Sequence, residues 1–234
     1  MSDYLIDSLA GCRAYLEAHR HHAARENPKM LPVVTLSREA GAGGVTIGEL
    51  TAQLLNRDRT EFSGPPWTLF DKNLVEKVIE DHQFPENLKR FLPEDVLPGV
   101  TSAVEEMLGL HPSAWTLAQY TTETILRLAH LGNVILVGRG SSLITAKIKP
   151  ALHIRLVAPL QERIAHLAEF FHLTPSEAGE YAKKADQGRR RYVKTYFKCD
   201  IGDPLNYTLT INTGRMNYHA TAHFIAEAVR QCAL

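Results

Sequence analysis

The residues of this chain best suited to chemistry lie in Ser37-Arg38-Glu39-Ala40-Gly41-Ala42-Gly43-Gly44-Val45-Thr46, which combines two hydroxyls, an arginine, an acid and three glycines. Between a strand and a helix, such a turn sets backbone N–H groups at the positive end of the helix dipole, where a phosphate is held. The plainer reading is a tight turn that needs glycine for backbone freedom alone. A complete G-x-x-x-x-G-K-[ST] phosphate loop is absent. Setting Gly41-Ala42-Gly43 on its second half puts Gly44 where the lysine belongs and Val45 where the hydroxyl belongs. Thr46, one residue on, is then the nearest hydroxyl for Mg²⁺, with Ser37 as the other candidate. The missing lysine takes a point charge away from the β- and γ-phosphates, so another cation has to replace it or phosphoryl transfer suffers.

A second concentration of charge is KKADQGRRRYVKTYFK, residues 183–198, with seven Lys/Arg and one acid, Asp186. Cations that close over phosphates would serve phosphoryl transfer; a solvated basic face, or a contact with RNA, is the alternative. On a helix Arg189, Arg190 and Arg191 point about 100° apart, so they cannot all face one ligand. Arg139 sits between Gly138 and Gly140 directly after an apolar run, at the sheet edge where open α/β folds bind ligands. Asp71 and Glu39 are candidate acids, with a helix cap and a loop salt bridge as their structural readings. Asp186 could touch an acceptor, hold the neighbouring arginines of this segment, or form a simple helix ion pair. His219 and His223 are four apart, but no third metal ligand is evident. Ser141-Ser142 lacks a G-x-S-x-G frame and reads as a helix start.

These residues have to be positioned by strands and helices in alternation. Apolar runs at 31–36, 67–70, 133–137, 152–157 and 207–212 read as five strands. They are continuous rather than alternating, as in a parallel sheet covered on both faces. Helical spacing follows the Gly-rich turn and recurs after Pro159. It recurs again from the capping box Thr174-Pro175-Ser176-Glu177 to about Phe197, and along the last segment. The fold class is therefore α/β: a three-layer domain with about five parallel strands. Leu5, Leu9, Cys12 and Leu16 form one apolar stripe on an N-terminal helix that precedes the fold and packs on it or on a second copy, an open possibility of a homodimer. Residues 72–131 read as helical, broken by prolines.

The chain has 234 residues, 44% hydrophobic and 22% charged, with 26 Lys+Arg against 26 Asp+Glu. The length suits one domain of roughly 200 residues. A net charge of zero disfavours a protein coated by nucleic acid or anionic lipid. No apolar run approaches the roughly 18–20 residues of a membrane span. The N-terminus lacks the pattern of a signal peptide, and the three widely spaced cysteines read as reduced thiols, so the expected location is the cytoplasm.

Taken in order, Ser37-Arg38-Glu39 with Gly41-x-Gly43-Gly44-x-x-Ile47-Gly48, Phe70-Asp71-Lys72, Val137-Gly138-Arg139-Gly140 and Val157-Ala158-Pro159-Leu160-x-Glu162-Arg163 resemble the cytidylate kinase-like family. The resemblance continues through Asp186-x-x-Arg189-x-x-Tyr192, Asp203-Pro204-x-x-Tyr207 and Ile211-Asn212-Thr213, covering roughly residues 31–230. It implies a P-loop kinase domain over 31–234 after an extension over 1–30, with a helical acceptor-binding insertion at 72–131 and a lid at 174–203. It further implies ATP and Mg²⁺ as donor and cofactor and a nucleoside monophosphate, CMP or dCMP, as acceptor. By the same resemblance Ser37, Arg38, Gly41, Ala42, Gly43, Gly44, Val45, Thr46 and Arg190 hold ATP and its metal. Asp71, Arg139 and Asp186 hold the acceptor, and Arg139, Arg189 and Asp186 carry catalysis. The usual acids flanking the arginine of D-G-R-D are here Val137 and Gly140. The expected function is phosphoryl transfer from ATP. The rivals are a nucleotide-binding regulator with weakened chemistry, a kinase for a non-nucleotide acceptor, and an RNA-contacting protein using residues 183–198.

Overall fold

The structure, a computed structural model, describes residues 30–57, 64–71 and 114–232. The helix read over 4–20 and the part of the helical insertion at 72–113 lie outside the described residues. Strands β1 (Val33–Arg38), β2 (Thr68–Phe70), β3 (Val134–Val137), β4 (Ala151–Val157) and β5 (Leu209–Asn212) form one sheet, ordered β2-β3-β1-β4-β5. All four pairings are parallel. Parallel neighbours cannot be joined by hairpins, so helices carry the crossovers. These are α1 (Gly44–Arg57), α2 (Ala114–Leu131), α3 (Ser141–Ile144), α4 (Leu160–Phe171) and α5 (Pro175–Phe197), and a final helix, α6 (Tyr218–Cys232), follows the last strand. The three-layer parallel α/β fold expected from the sequence is the fold observed.

Strand alternation divides the apolar residues between two cores. Val34, Leu36, Ile135, Val137, Leu152, Ile154 and Leu156 pack with Ile47 and Leu55 of α1 and with Ile225 and Val229 of α6. Val33, Phe70, Val134 and Leu136 meet Ile125, Leu128 and Ala129 of α2 on the opposite face. Burial on both faces is why the strands read as unbroken apolar runs. A third, smaller core joins Leu167 of α4 and Ala178 and Ala182 of α5 to Ala40, so the α4–α5 hairpin is seated on the Gly-rich loop itself. Among the described residues no helix is long and apolar enough to cross a membrane.

Two strand boundaries differ from the sequence reading in a way that matters for the site. The first strand was expected over 31–36 and runs over Val33–Arg38. Pairing starts where the Val33 N–H meets the Pro150 carbonyl at 3.0 Å. It continues through Ser37 opposite Arg155 and Arg38 opposite Leu156. Ser37 and Arg38 are therefore held in the sheet rather than in the loop. The last strand begins at Leu209 instead of Tyr207, because Pro204–Asn206 form a 3₁₀ turn whose carbonyl at Pro204 accepts the Tyr207 N–H at 3.0 Å. The capping box at Thr174 is present with both of its reciprocal bonds, and Ser141 does start a helix.

Ile154 is fully buried in the central part of the sheet. Ile154→Ala should cost about 2–5 kcal/mol in urea denaturation, and Ile154→Val about 0.5–1.5 kcal/mol; a cost near zero for the alanine variant would contradict this core. The Thr174 hydrogen bonds hold the Glu177 carboxyl below its ordinary range. The cap is thus at full strength above the ordinary glutamate pKa and is lost as pH falls through the lowered one. Amide exchange in the first turn of α5 should lose protection on acidification, and Glu177→Gln should remove that pH dependence.

Candidate functional site

Strand β1 hands the chain through α1 to β2 on one side, while β3 hands it through α3 to β4 on the other. Adjacent strands whose connections leave in opposite directions open a crevice at their carboxyl ends. A cleft opens there, lined by Ser37 and Arg38 from β1, Gly138 to Leu143 after β3, Arg189, Tyr192 and Val193 from α5, and Ile201 and Tyr207 beyond it. The Gly-rich loop, between β1 and α1, borders the same edge.

The loop's conformation is set by how its carbonyls are engaged. Arg163 Nη1 donates to Ala40 O at 3.1 Å, and the Tyr218 hydroxyl donates to Gly41 O at 3.3 Å. Thr213 Oγ1 donates to Ala42 O at 3.2 Å, and the Ile47 N–H donates to Gly43 O at 2.8 Å. Four consecutive carbonyls are thus held by donors from α4, α6, the β5–α6 turn and α1. Gly41 and Gly43 adopt φ of 82° and 78°. A side chain at Gly41 would strike the Arg163 backbone, and one at Gly43 the Tyr218 ring. Close approach as well as backbone freedom demands glycine here. The N–H groups of Gly44, Val45 and Thr46 fall in the first turn of α1, where helix geometry provides no carbonyl partner. A loop with its carbonyls tied back and these N–H groups at a helix N-terminus is built to receive an anion.

Asp186 faces this loop from α5. One of its oxygens accepts the Ala40 N–H at 2.7 Å and lies 3.4 Å from Arg189 Nη1. The other is 2.7 Å from Arg163 Nη1. Of the roles open to it, holding the arginines is the one the geometry displays. Arg163, 8% exposed, also approaches Glu39 at 3.4 Å and donates to Ala158 O at 3.0 Å. Glu39 accepts the Ala158 N–H at 3.2 Å, so it is a loop brace. Arg189 is half-buried and turned inward, its Nη1 3.4 Å from the Arg38 carbonyl. Arg190 and Arg191 are exposed, consistent with an angular spacing that keeps the three arginines from sharing one face. Arg190 is not among the residues lining the cleft.

Ser37 ends in a directed relay. Arg155 Nη1 donates to Ser37 Oγ at 2.8 Å. The Tyr207 hydroxyl is 2.9 Å from the Ile201 carbonyl and 3.2 Å from Ser37 Oγ. A carbonyl only accepts and an arginine only donates. The single phenolic proton therefore goes to Ile201, and Ser37 donates its own proton to the phenol oxygen. Burial lowers the Arg155 pKa, opposed by Tyr207, Glu39 and Asp186. Arg155 is 8% exposed, and among the described residues no carboxylate pairs with it. A positive charge thus lies under the cleft, transmitted to it through Ser37.

Arg139 lines the cleft with a φ of 56°, between Gly138 at 83° and Gly140 at 69°. Three successive left-handed residues turn the chain sharply out of β3, and a side chain at Gly140 would strike the Phe197 ring at the end of α5. Asp71, at the end of β2, pairs with Arg38 at 3.3 Å. His219 and His223 are exposed, and among the described residues no three His, Cys, Asp or Glu cluster to hold a metal. Arg163 and Arg155 were missed as functional residues by the sequence reading, as were the loop anchors Thr213 and Tyr218. Arg163, Thr213 and Tyr207 stand in the motifs that carry the resemblance, with no role attached there, and a basic residue inside the apolar strand Leu152–Val157 is the available signal for Arg155. Asp186→Asn should destabilise the protein by on the order of 3 kcal/mol in urea denaturation, because Arg163 stays buried with a weakened partner set. A change below about 0.5 kcal/mol would contradict the bracing role.

An uncharacterised protein from Eubacterium ventriosum shares the fold, with a TM-score of 0.61 and 18% identity over 84% of this chain and 97% of that one. A shikimate kinase from Acinetobacter baumannii, solved with shikimate, gives a TM-score of 0.46 and 13% identity over 87% of this chain and 95% of that one. A uronate isomerase from Corynebacterium glutamicum is 30% identical over 111 residues, which are 47% of this chain and 21% of that protein. The chain thus spans about a fifth of that curated relative. The model of the cytidylate kinase-like family matches residues 33–215, from the first strand to the turn after the last. By that match, running through the loop, the cleft and the α5 brace, the chain belongs to the cytidylate kinase-like family.

Proposed function

We propose that this protein transfers the γ-phosphoryl group of ATP to a small acceptor that itself carries a phosphate, a nucleoside monophosphate of the CMP or dCMP kind. The observation that carries the reading is the loop whose carbonyls at Ala40, Gly41 and Ala42 are tied to neighbouring elements, and whose Gly43 carbonyl enters the first turn of α1, while the first-turn N–H groups of α1 are left for an anion. The donor phosphates fit that cradle. Thr46 stands in the same first turn and is the hydroxyl that would meet the magnesium ion of Mg·ATP, the remaining ligands coming from phosphate and water. When bound, the ion supplies neutralising charge. The chain's own residues would do the positioning.

The acceptor phosphate would enter the neighbouring cleft, which Arg139 and Arg189 line; a guanidinium group suits forked contacts with phosphate oxygens. Phosphoryl transfer needs alignment and charge stabilisation rather than a covalent enzyme intermediate. The α4–α5 hairpin, braced to the loop through Arg163 and Asp186, would fix Arg189 between donor and acceptor.

A second reading, a nucleotide-binding regulator, draws on one specific observation: position 44, where a phosphate-loop lysine belongs, is glycine. The two readings separate in one assay. With ATP and Mg²⁺, coupled ADP release over a panel of nucleoside monophosphates should show turnover with at least one pyrimidine monophosphate. Arg139→Ala should lower kcat/KM for that acceptor by roughly a hundredfold or more, the scale of losing one charge-stabilising donor. ATP binding with no turnover on any acceptor would overturn the kinase reading in favour of the regulator.

A further inference from the structure

Resting on the phosphoryl-transfer reading, we propose that Arg38 supplies the cation that position 44 lacks, so that Arg38 and Gly44 together replace the lysine of the phosphate loop. A Cβ placed on Gly44 would lie 2.9 Å from Arg38 Cγ and 3.3 Å from its Cβ and Cδ. The arginine stem occupies the space from which a residue-44 side chain would start. Glycine at 44 is therefore the complement of Arg38 as well as the loss of a lysine.

The strand register explains how a residue six positions earlier reaches this spot. β1 extends to Arg38. Alternation places Arg38 on the same face as Val34 and Leu36, which is the face α1 covers. The stem then runs across the first residue of α1, and Arg38 is one of the residues lining the cleft. Asp71, two strands away at the end of β2, meets Arg38 Nη2 at 3.3 Å, with the two side chains 18% and 12% exposed. A carboxylate there restrains the long side chain, and a guanidinium with five N–H donors can hold a carboxylate and still bond a phosphate. Asp71 is in this account a positioning residue, and Arg38 the one that touches the donor phosphates.

In the transfer, an acceptor phosphate oxygen forms a bond to the γ-phosphorus as the bond from that phosphorus to the β–γ bridging oxygen breaks. ADP leaves with the electron pair, and an ionised acceptor has no proton to lose. Negative charge grows on the β-phosphate side of the leaving group, which is the charge a loop lysine normally faces. Arg38 would offset it from β1 instead of from α1.

The test uses the full chain in four forms: wild type, Arg38→Ala, Arg38→Lys and the double variant Arg38→Ala/Gly44→Lys, each checked by a melting curve. The first readout is the ratio of affinities for Mg·ATP and adenosine by calorimetry, and the second is ADP release with the best acceptor. Arg38→Ala should cut the preference for the triphosphate at least tenfold and kcat about a hundredfold, with Arg38→Lys retaining more of both. The double variant, its lysine now free of the arginine stem, should regain at least tenfold over Arg38→Ala. A folded Arg38→Ala protein within threefold of wild type in both readouts, or a folded double variant no better than Arg38→Ala, would overturn the assignment while leaving the kinase reading intact. Wild-type protein that prefers adenosine to Mg·ATP would overturn both.

Discussion

The organisation of the site depends on one buried guanidinium. Arg163 lies on α4 with almost no solvent contact and bonds to the loop carbonyl at Ala40, to the Ala158 carbonyl and to two carboxylates, Asp186 and Glu39. A buried charge is tolerated only when its donors and its charge are both matched. Satisfying Arg163 therefore dictates where the loop, the β4–α4 turn and α5 must lie relative to one another. Ala40 is held by both its N–H and its carbonyl, which orients the two peptides that flank it, just before the glycines. The carbonyls of Ala40, Gly41 and Ala42 each have a partner on another element, and the first-turn N–H groups of α1 follow.

The same brace connects the cradle to the cleft. Asp186 approaches Arg189 as well as Arg163, so α5 is registered against the loop by the residue that also positions its inward arginine. On the other side of the cleft, the relay from Arg155 through Ser37 and Tyr207 to Ile201 joins β4, β1 and the segment after α5. Three cations, Arg38, Arg139 and Arg189, then line one cleft, with Arg155 behind it. The neutral composition of the whole chain conceals this local concentration.

Much of the architecture was legible because its causes are local. Continuous apolar runs such as Val134–Val137 announce a strand buried on both faces, Thr174-Pro175-Ser176-Glu177 announces a helix start, and Gly41 to Gly44 announces a turn. The helix period alone separates Arg189 from Arg190 and Arg191. What stayed hidden depends on long-range meetings. Arg163 and Ala40 are 123 residues apart, Tyr218 and Gly41 177, and Arg155 and Ser37 118. No periodicity encodes these pairs, because each arises from strand order and register. The strand limit at Arg38 was missed for a related reason: polar Ser37 and Arg38 end an apolar run, yet β4 continues to pair with them.

The central claim is that the pinned loop receives the donor phosphates, and amide chemical shifts report on it directly. Titrating ¹⁵N-labelled protein with Mg²⁺ and a non-hydrolysable ATP analogue should move the amides of Gly44, Val45 and Thr46 most strongly, with smaller changes along α5 near Arg189. Adenosine alone should leave those three in place. Shifts confined to the exposed basic face of α5, with the loop amides unmoved at saturation, would contradict the account.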